Sequence, residues 1–164
     1  MKMILDSGDR TEFESGAVRD MSEGKGRCDL LPLDVVEGQY DDLPSAKGVM
    51  KRIFQFQDSG DTKYLEIALE HFRSLRGWDT NTMMLELAKH FEEGAKKYGD
   101  NNWRKGIPVR CYIDSALRHY FKFLRDDQDE PHDRACCWNL MCAIWTSKNL
   151  PELNDYRKKD SDGT

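Results

Sequence analysis

Glu86, His90, Glu93 and Lys97 follow one another at intervals of four, three and four residues. On an α-helix these intervals place all of them along one strip. Carboxylates so placed can hold a divalent cation through oxygen, and a lysine one turn further on can meet a phosphate. The strip also reads as a solvated face with Glu93 and Lys97 as a favourable i,i+4 pair, and periodicity by itself favours that plainer reading.

Further along, Asp114 pairs with Arg118 and Ser115 with His119 at one-turn spacing. A guanidinium at 118 can grip a phosphate bidentately, as a lysine cannot. His119, beside apolar neighbours, reads either as a proton-transfer group or as a hydrogen-bonded structural side chain. Asp129, Glu130, His132 and Asp133 then bring oxygen and nitrogen ligands to the point where an acidic loop enters a helix. Asp133 reads equally as a cap of that helix. Asn139 is polar among Trp138, Leu140 and Met141, so it needs partners, either structural or on a base edge. Carboxylates, imidazoles and cations together form the inventory for divalent-metal hydrolysis of a phosphoanhydride, a reaction that asks mainly for positioning and charge neutralisation.

Upstream, SGAVRDMSEGKGRCDLLP sets Arg19, Lys25 and Arg27 among glycines. Such a segment can wrap a phosphate, although it lacks P-loop spacing. It reads equally as a solvated arm that lays Leu30 and Leu31 on the body.

The elements that must hold these groups are helical. Residues 1–44 have no helical period and read as an irregular arm, with no strand pair. Helices are expected over 45–57 and 62–76, separated at Gly60 and Asp61, then from Asp79 or Thr80 to Tyr98, over about 110–125, and from about 133 to 149. Their apolar stripes are Leu65, Leu69, Phe72 and Leu75; Met84, Leu87, Phe91, Ala95 and Tyr98; Ile113, Leu117, Tyr120 and Leu124; and Trp138, Met141, Ile144 and Trp145. The expectation is an all-α helical bundle over 45–149 with the arm packed on it, and a polar tail over 150–164.

At 164 residues the chain suits one domain. A net charge of −5 disfavours a nucleic-acid polymer as partner, because phosphate neutralisation needs clustered Lys and Arg. No run is long enough for a membrane span, and the opening residues carry no apolar stretch for secretion, so a cytoplasmic protein is expected. The five cysteines, Cys136, Cys137 and Cys142 among them in one helical segment, read as reduced core thiols.

The blocks GAVRD…GKGRCDLLP, EEGAKKYGDNNWRKGIP, DSALRHYFKFL and DEPHDRACCWN occur in an order that resembles the phage-associated dATP/dGTP diphosphohydrolase domain family. They cover residues 15–32 and about 84–146, leaving 37–80 as an insertion relative to shorter members. The resemblance implies a MazG-like all-helical pyrophosphohydrolase that cleaves a purine dNTP to dNMP and pyrophosphate with Mg²⁺ or Mn²⁺, often as a dimer or tetramer, in a phage or prophage setting. It points to Glu93, Lys97, Asn102 and Trp103, to Arg118 and His119, and to His132, Trp138 and Asn139.

On this basis Glu86, Glu93, Asp129, Glu130 and Asp133 are the expected metal ligands, and Glu93, His119 and His132 the catalytic groups. Lys97, Arg118, Asn102, Trp103, Asn139, Arg19 and Lys25 are the expected substrate contacts, with Trp103 stacking on the base. Two features depart from the pattern. The helix of Glu93 has no clean ExxE, and Ala135 stands where many members carry a second histidine. Two rival readings follow: an HD-type phosphohydrolase built on His119, His132, Asp133 and Asp155, and a decayed helical partner-binding module.

Overall fold

Local sequence chemistry sets the helix ends. The structure, a computed structural model, describes residues 6–158. The first five residues of the segment read for a secretory leader and the last six of the expected tail lie outside the described residues. A single helical turn, α1 (Leu33–Val36), is followed by α2 (Pro44–Ser59), which opens on a proline whose missing N–H costs nothing at that position. It stops at Gly60, where φ is +72° and a side chain would run into the backbone of Tyr156 and Arg157. Then come α3 (Lys63–Arg76), closed by Gly77, and α4 (Thr80–Tyr98). The Asp79 carboxylate accepts the Thr82 N–H at 2.7 Å and so caps α4. The last two are α5 (Val109–Leu124) and α6 (His132–Asn149).

The fold is all-α, with α6 at its centre, packed against α3, α4 and α5. That position explains a departure from the expected stripe. Trp138, Met141, Ile144 and Trp145 form only a half-buried edge of α6, whereas Cys136, Cys137, Leu140, Cys142 and Ala143 are buried. A helix covered on several sides has no single apolar stripe to read. All five cysteines are free, and burial pushes the Cys136 thiol well above its usual range. On α4, Met83 takes the buried place expected for Met84, which is 42% exposed. Phe72 of α3, fully buried, meets the rings of Tyr120 and Phe123 of α5 at 5.8 and 5.2 Å. Truncating it to alanine would cost about 3–5 kcal/mol. No helix among the described residues is long and apolar enough to cross a membrane.

The arm differs from expectation, because it contains a strand pair. β1 (Arg10–Glu12) and β2 (Val18–Asp20) pair antiparallel, with Thr11 opposite Arg19. Gly16, at φ +86°, makes the turn between them possible. The pair is held from outside. Asn102 accepts the Val18 N–H through Oδ1 at 2.9 Å and donates Nδ2 to the Val18 carbonyl at 2.8 Å, the two bonds a neighbouring strand would make. The tail also packs in part: Asn154 is buried, and Tyr156 sets its ring 5.4 Å from Phe56.

Candidate active site

Where β2, α4, α5 and α6 converge they enclose a cavity of about 960 Å³. Arg19 enters it from β2. Its Nη2 donates to Ser115 Oγ at 3.2 Å and to Asn139 Oδ1 at 3.0 Å, and its guanidinium lies 5.1 Å from the centre of the Tyr112 ring. These partners are all neutral, and Nη1 is buried without a hydrogen bond. The charge is thus positioned without being neutralised, as an anion-binding group must be.

A second tie fixes the glycine-rich segment. Arg118 Nη2 donates to the Gly26 carbonyl at 2.7 Å and to Asp114 Oδ2 at 2.5 Å, while Asp114 Oδ1 accepts the Cys28 N–H at 2.6 Å. The i,i+4 pair noticed in the sequence therefore acts as a clasp on the arm. The clasp holds Lys25 and Arg27 at the cavity wall, where they also pair with Asp20 and Asp29. Lys122, one turn past Arg118, lines the same wall and was not picked from the sequence, although its spacing signals it.

His119 and Glu130 line one end of the cavity and converge there with the buried His132. His119 Nδ1 and His132 Nδ1 stand 2.9 Å apart, and Glu130 Oε1 lies 3.4 and 3.6 Å from them. His132 Nε2 is 2.6 Å from Asp129 Oδ1. An ionised carboxylate only accepts, so Nε2 carries the proton and Nδ1 keeps its lone pair. The hydrogen bond from His132 holds the Asp129 carboxyl below the usual range. Burial, then the neighbouring His132, keep the His119 pKa well below its ordinary value, so His119 is neutral near neutral pH. Two imidazole nitrogens and one carboxylate oxygen, with a carboxylate orienting one imidazole from behind, fit a divalent transition metal.

The remaining expected residues divide between the cavity wall and other places. Lys97 and Trp103 line the cavity; Trp103 also packs against Phe91 and Trp145, and Lys97 Nζ lies 3.7 Å from Asp6. Asn102 lines the cavity too, but both ends of its amide serve Val18. Glu93 does not line the cavity; it takes Nη2 of the buried Arg134 at 2.6 Å. Glu86 pairs with Lys89 in a separate shallow cleft on α4. Asp133 lies in the first turn of α6, not at its cap; it takes Arg76 Nε and the Arg134 N–H, each at 2.7 Å, and so ties α6 to α3. Of the five expected metal ligands, the structure brings Glu130 into the cluster with His119 and His132, and places Asp129 behind it.

The family model described as dATP/dGTP diphosphohydrolase, N-terminal, matches residues 71–156, just over half of the chain. The chain belongs to this family. No match was found among curated proteins or among solved structures. The stretch shared with the dATP/dGTP diphosphohydrolase family runs from the end of α3 past α6, and so includes the whole His119, Glu130 and His132 cluster. It leaves out Arg19 and the clasped segment of the arm.

Proposed function

We propose that this chain is a divalent-metal-dependent pyrophosphohydrolase that converts dATP or dGTP to the deoxynucleoside monophosphate and pyrophosphate. The observation that carries the reading is that His119 and Glu130, clustered with the buried His132, line the same cavity as the un-neutralised guanidinium of Arg19. The family to which the chain belongs is named for this reaction.

In this reading Arg19, Lys25, Arg27 and Lys122 draw the triphosphate in and hold its oxygens, while Arg118 keeps the arm in place. His119, His132 and Glu130 would hold the metal ion, and Asp129 fixes the His132 tautomer. When bound, such an ion supplies Lewis-acid polarisation of phosphate oxygens and a lowered pKa for water. Imidazole donors suit Mn²⁺ better than Mg²⁺, which prefers an all-oxygen shell. Water adds its oxygen to the α-phosphorus, the α–β anhydride bond breaks, pyrophosphate leaves, and the water proton passes to a carboxylate beside the cluster, since the imidazole lone pairs would be held by the ion.

The HD-type alternative needs His119, His132, Asp133 and Asp155 together. Asp133 instead faces Arg76, and Asp155 Oδ2 accepts the Arg110 N–H at 2.8 Å. Arg110 is roughly 13 Å along α5 from His119 by helical rise. Ala135 stands where the resemblance implies a second histidine, yet three ligand-type groups remain together.

The test is hydrolysis of each dNTP with Mn²⁺ and with Mg²⁺, with products resolved, for the wild type and His119→Ala. Release of dNMP and pyrophosphate from dATP or dGTP, lost on chelation and in the variant, supports the proposal. Release of inorganic phosphate or triphosphate, or no turnover with any metal, overturns it.

A further inference from the structure

One polar group in the cavity wall has no part in the roles above. His90 projects from α4 and is only 7% exposed; it lines the cavity and packs on Trp138, with ring centroids 5.2 Å apart and planes 36° apart. Its Nδ1 makes no hydrogen bond. Buried polar atoms are almost always paired, so an unpaired nitrogen in the wall of a ligand-sized cavity marks a bond still to be made. Burial, then the charges of Arg134, Arg19 and Lys97, hold the His90 pKa at about 3. The ring is therefore neutral, with one N–H and one lone pair. A neutral imidazole lacks the charge that would favour a phosphate. It does match the edge of a heteroaromatic ring, which presents acceptors and donors side by side. Beside it, Phe91 and Trp138, 5.8 Å apart, add flat aromatic surface of the kind on which bases stack.

We infer that His90 is the specificity-determining residue that hydrogen-bonds the edge of the nucleobase, with Trp138 and Phe91 forming the aromatic wall beside it. The inference rests on the nucleotide reading above and adds the residue that tells one base from another. His90 is a group for base recognition, separate from the metal cluster and from the phosphate-binding cations.

Two variants test it. His90→Phe keeps the ring against Trp138 and removes both nitrogens, and His90→Gln restores a donor and an acceptor without the ring. For each, KM and kcat are measured with dATP, dGTP, dCTP and dTTP, and equilibrium binding is measured for dAMP, dGMP and, as a base-free probe, inorganic pyrophosphate. Loss of a neutral hydrogen bond corresponds to an increase of up to about tenfold in KM for the preferred substrate. The expected result in His90→Phe is that increase, with kcat nearly unchanged, a flattened preference among bases, unaltered pyrophosphate binding, and partial recovery in His90→Gln. Equal losses for pyrophosphate and nucleotides, or an unchanged base preference, overturn the inference and make His90 a packing residue. If the wild type turns over no nucleotide, but dAMP or dGMP binds with a preference that His90→Phe abolishes, the inference stands and the reaction proposed above falls. If the wild type turns over no nucleotide and neither monophosphate binds, both fall.

Discussion

His119 and His132 present the same ring atom to each other, Nδ1 to Nδ1, at 2.9 Å. Because Asp129 accepts the Nε2 proton of His132, the His132 Nδ1 has only a lone pair to offer, and His119 must turn a proton toward it. A metal ion between the rings would replace that proton with a shared positive charge. Replacing Asp129 with asparagine leaves the ligands in place but loosens the tautomer and orientation of His132. The expected outcome is a fall in Mn²⁺ affinity of about 10–100-fold, read by calorimetric titration, with an unchanged helical spectrum. Unchanged affinity would show that the carboxylate has no role behind the ligand.

Asn102→Ala removes both hydrogen bonds to Val18 and leaves that backbone without a partner on one side. The loss should lower stability by roughly 1–3 kcal/mol, concentrated in the hairpin. Hydrogen exchange should accelerate at the Val18 amide but hardly in α6. Nucleotide KM should rise, because Arg19 lies next to Val18 in β2. Uniform acceleration throughout the protein would instead make Asn102 a support of the whole fold.

Glu93→Gln tests whether that carboxylate serves the metal or the fold. It pairs with Arg134, whose side chain is 3% exposed, and breaking a buried pair from one side costs about 3–5 kcal/mol. The melting temperature should fall clearly, while Mn²⁺ affinity measured below the melt stays within about twofold. A large loss of metal affinity in a fully stable variant would return Glu93 to the ligand set.

Acid should destabilise the protein partly through His90. Its pKa is about 3 when folded and near 6.5 when the ring meets water, so the unfolded chain binds the extra proton. Stability from this group is complete above pH 6.5 and drains away as pH falls toward 3. The full span amounts to roughly 4–5 kcal/mol. Chemical denaturation at a series of pH values should show this slope flattened in His90→Phe. An unaltered slope would assign the acid sensitivity to other groups.

The helices were legible because each carries its own punctuation: Asp79 before α4, Gly60 and Gly77 after α2 and α3, and apolar residues at regular intervals. The hairpin was not. Its strands read Arg-Thr-Glu and Val-Arg-Asp, with no alternation of apolar and polar residues, and much of what fixes them comes from Asn102 and Asn139. Information held that far away cannot be read from the segment itself. The strip of Glu86, His90, Glu93 and Lys97 shows the same limit on a helix. The spacing placed the four side chains on one face, but α6 contributes Arg134, which takes Glu93, while His90 and Lys97 turn to the cavity and Glu86 lies in another cleft. The Asp129, Glu130 and His132 group was visible as a dense local sequence; that His119 would complete it depends on how α5 and α6 pack.

The bonds from Asn102 to Val18 and from Asn139 to Arg19 span 84 and 120 residues of chain. During synthesis the hairpin segment is made well before either partner, so Val18 waits for Asn102 and Arg19 waits until α6 has been translated and packed. A product interrupted before His132 would lack that member of the cluster and, further on, Asn139, the anchor for Arg19. The cavity would therefore gain its anchored guanidinium and its complete cluster in one late step of synthesis.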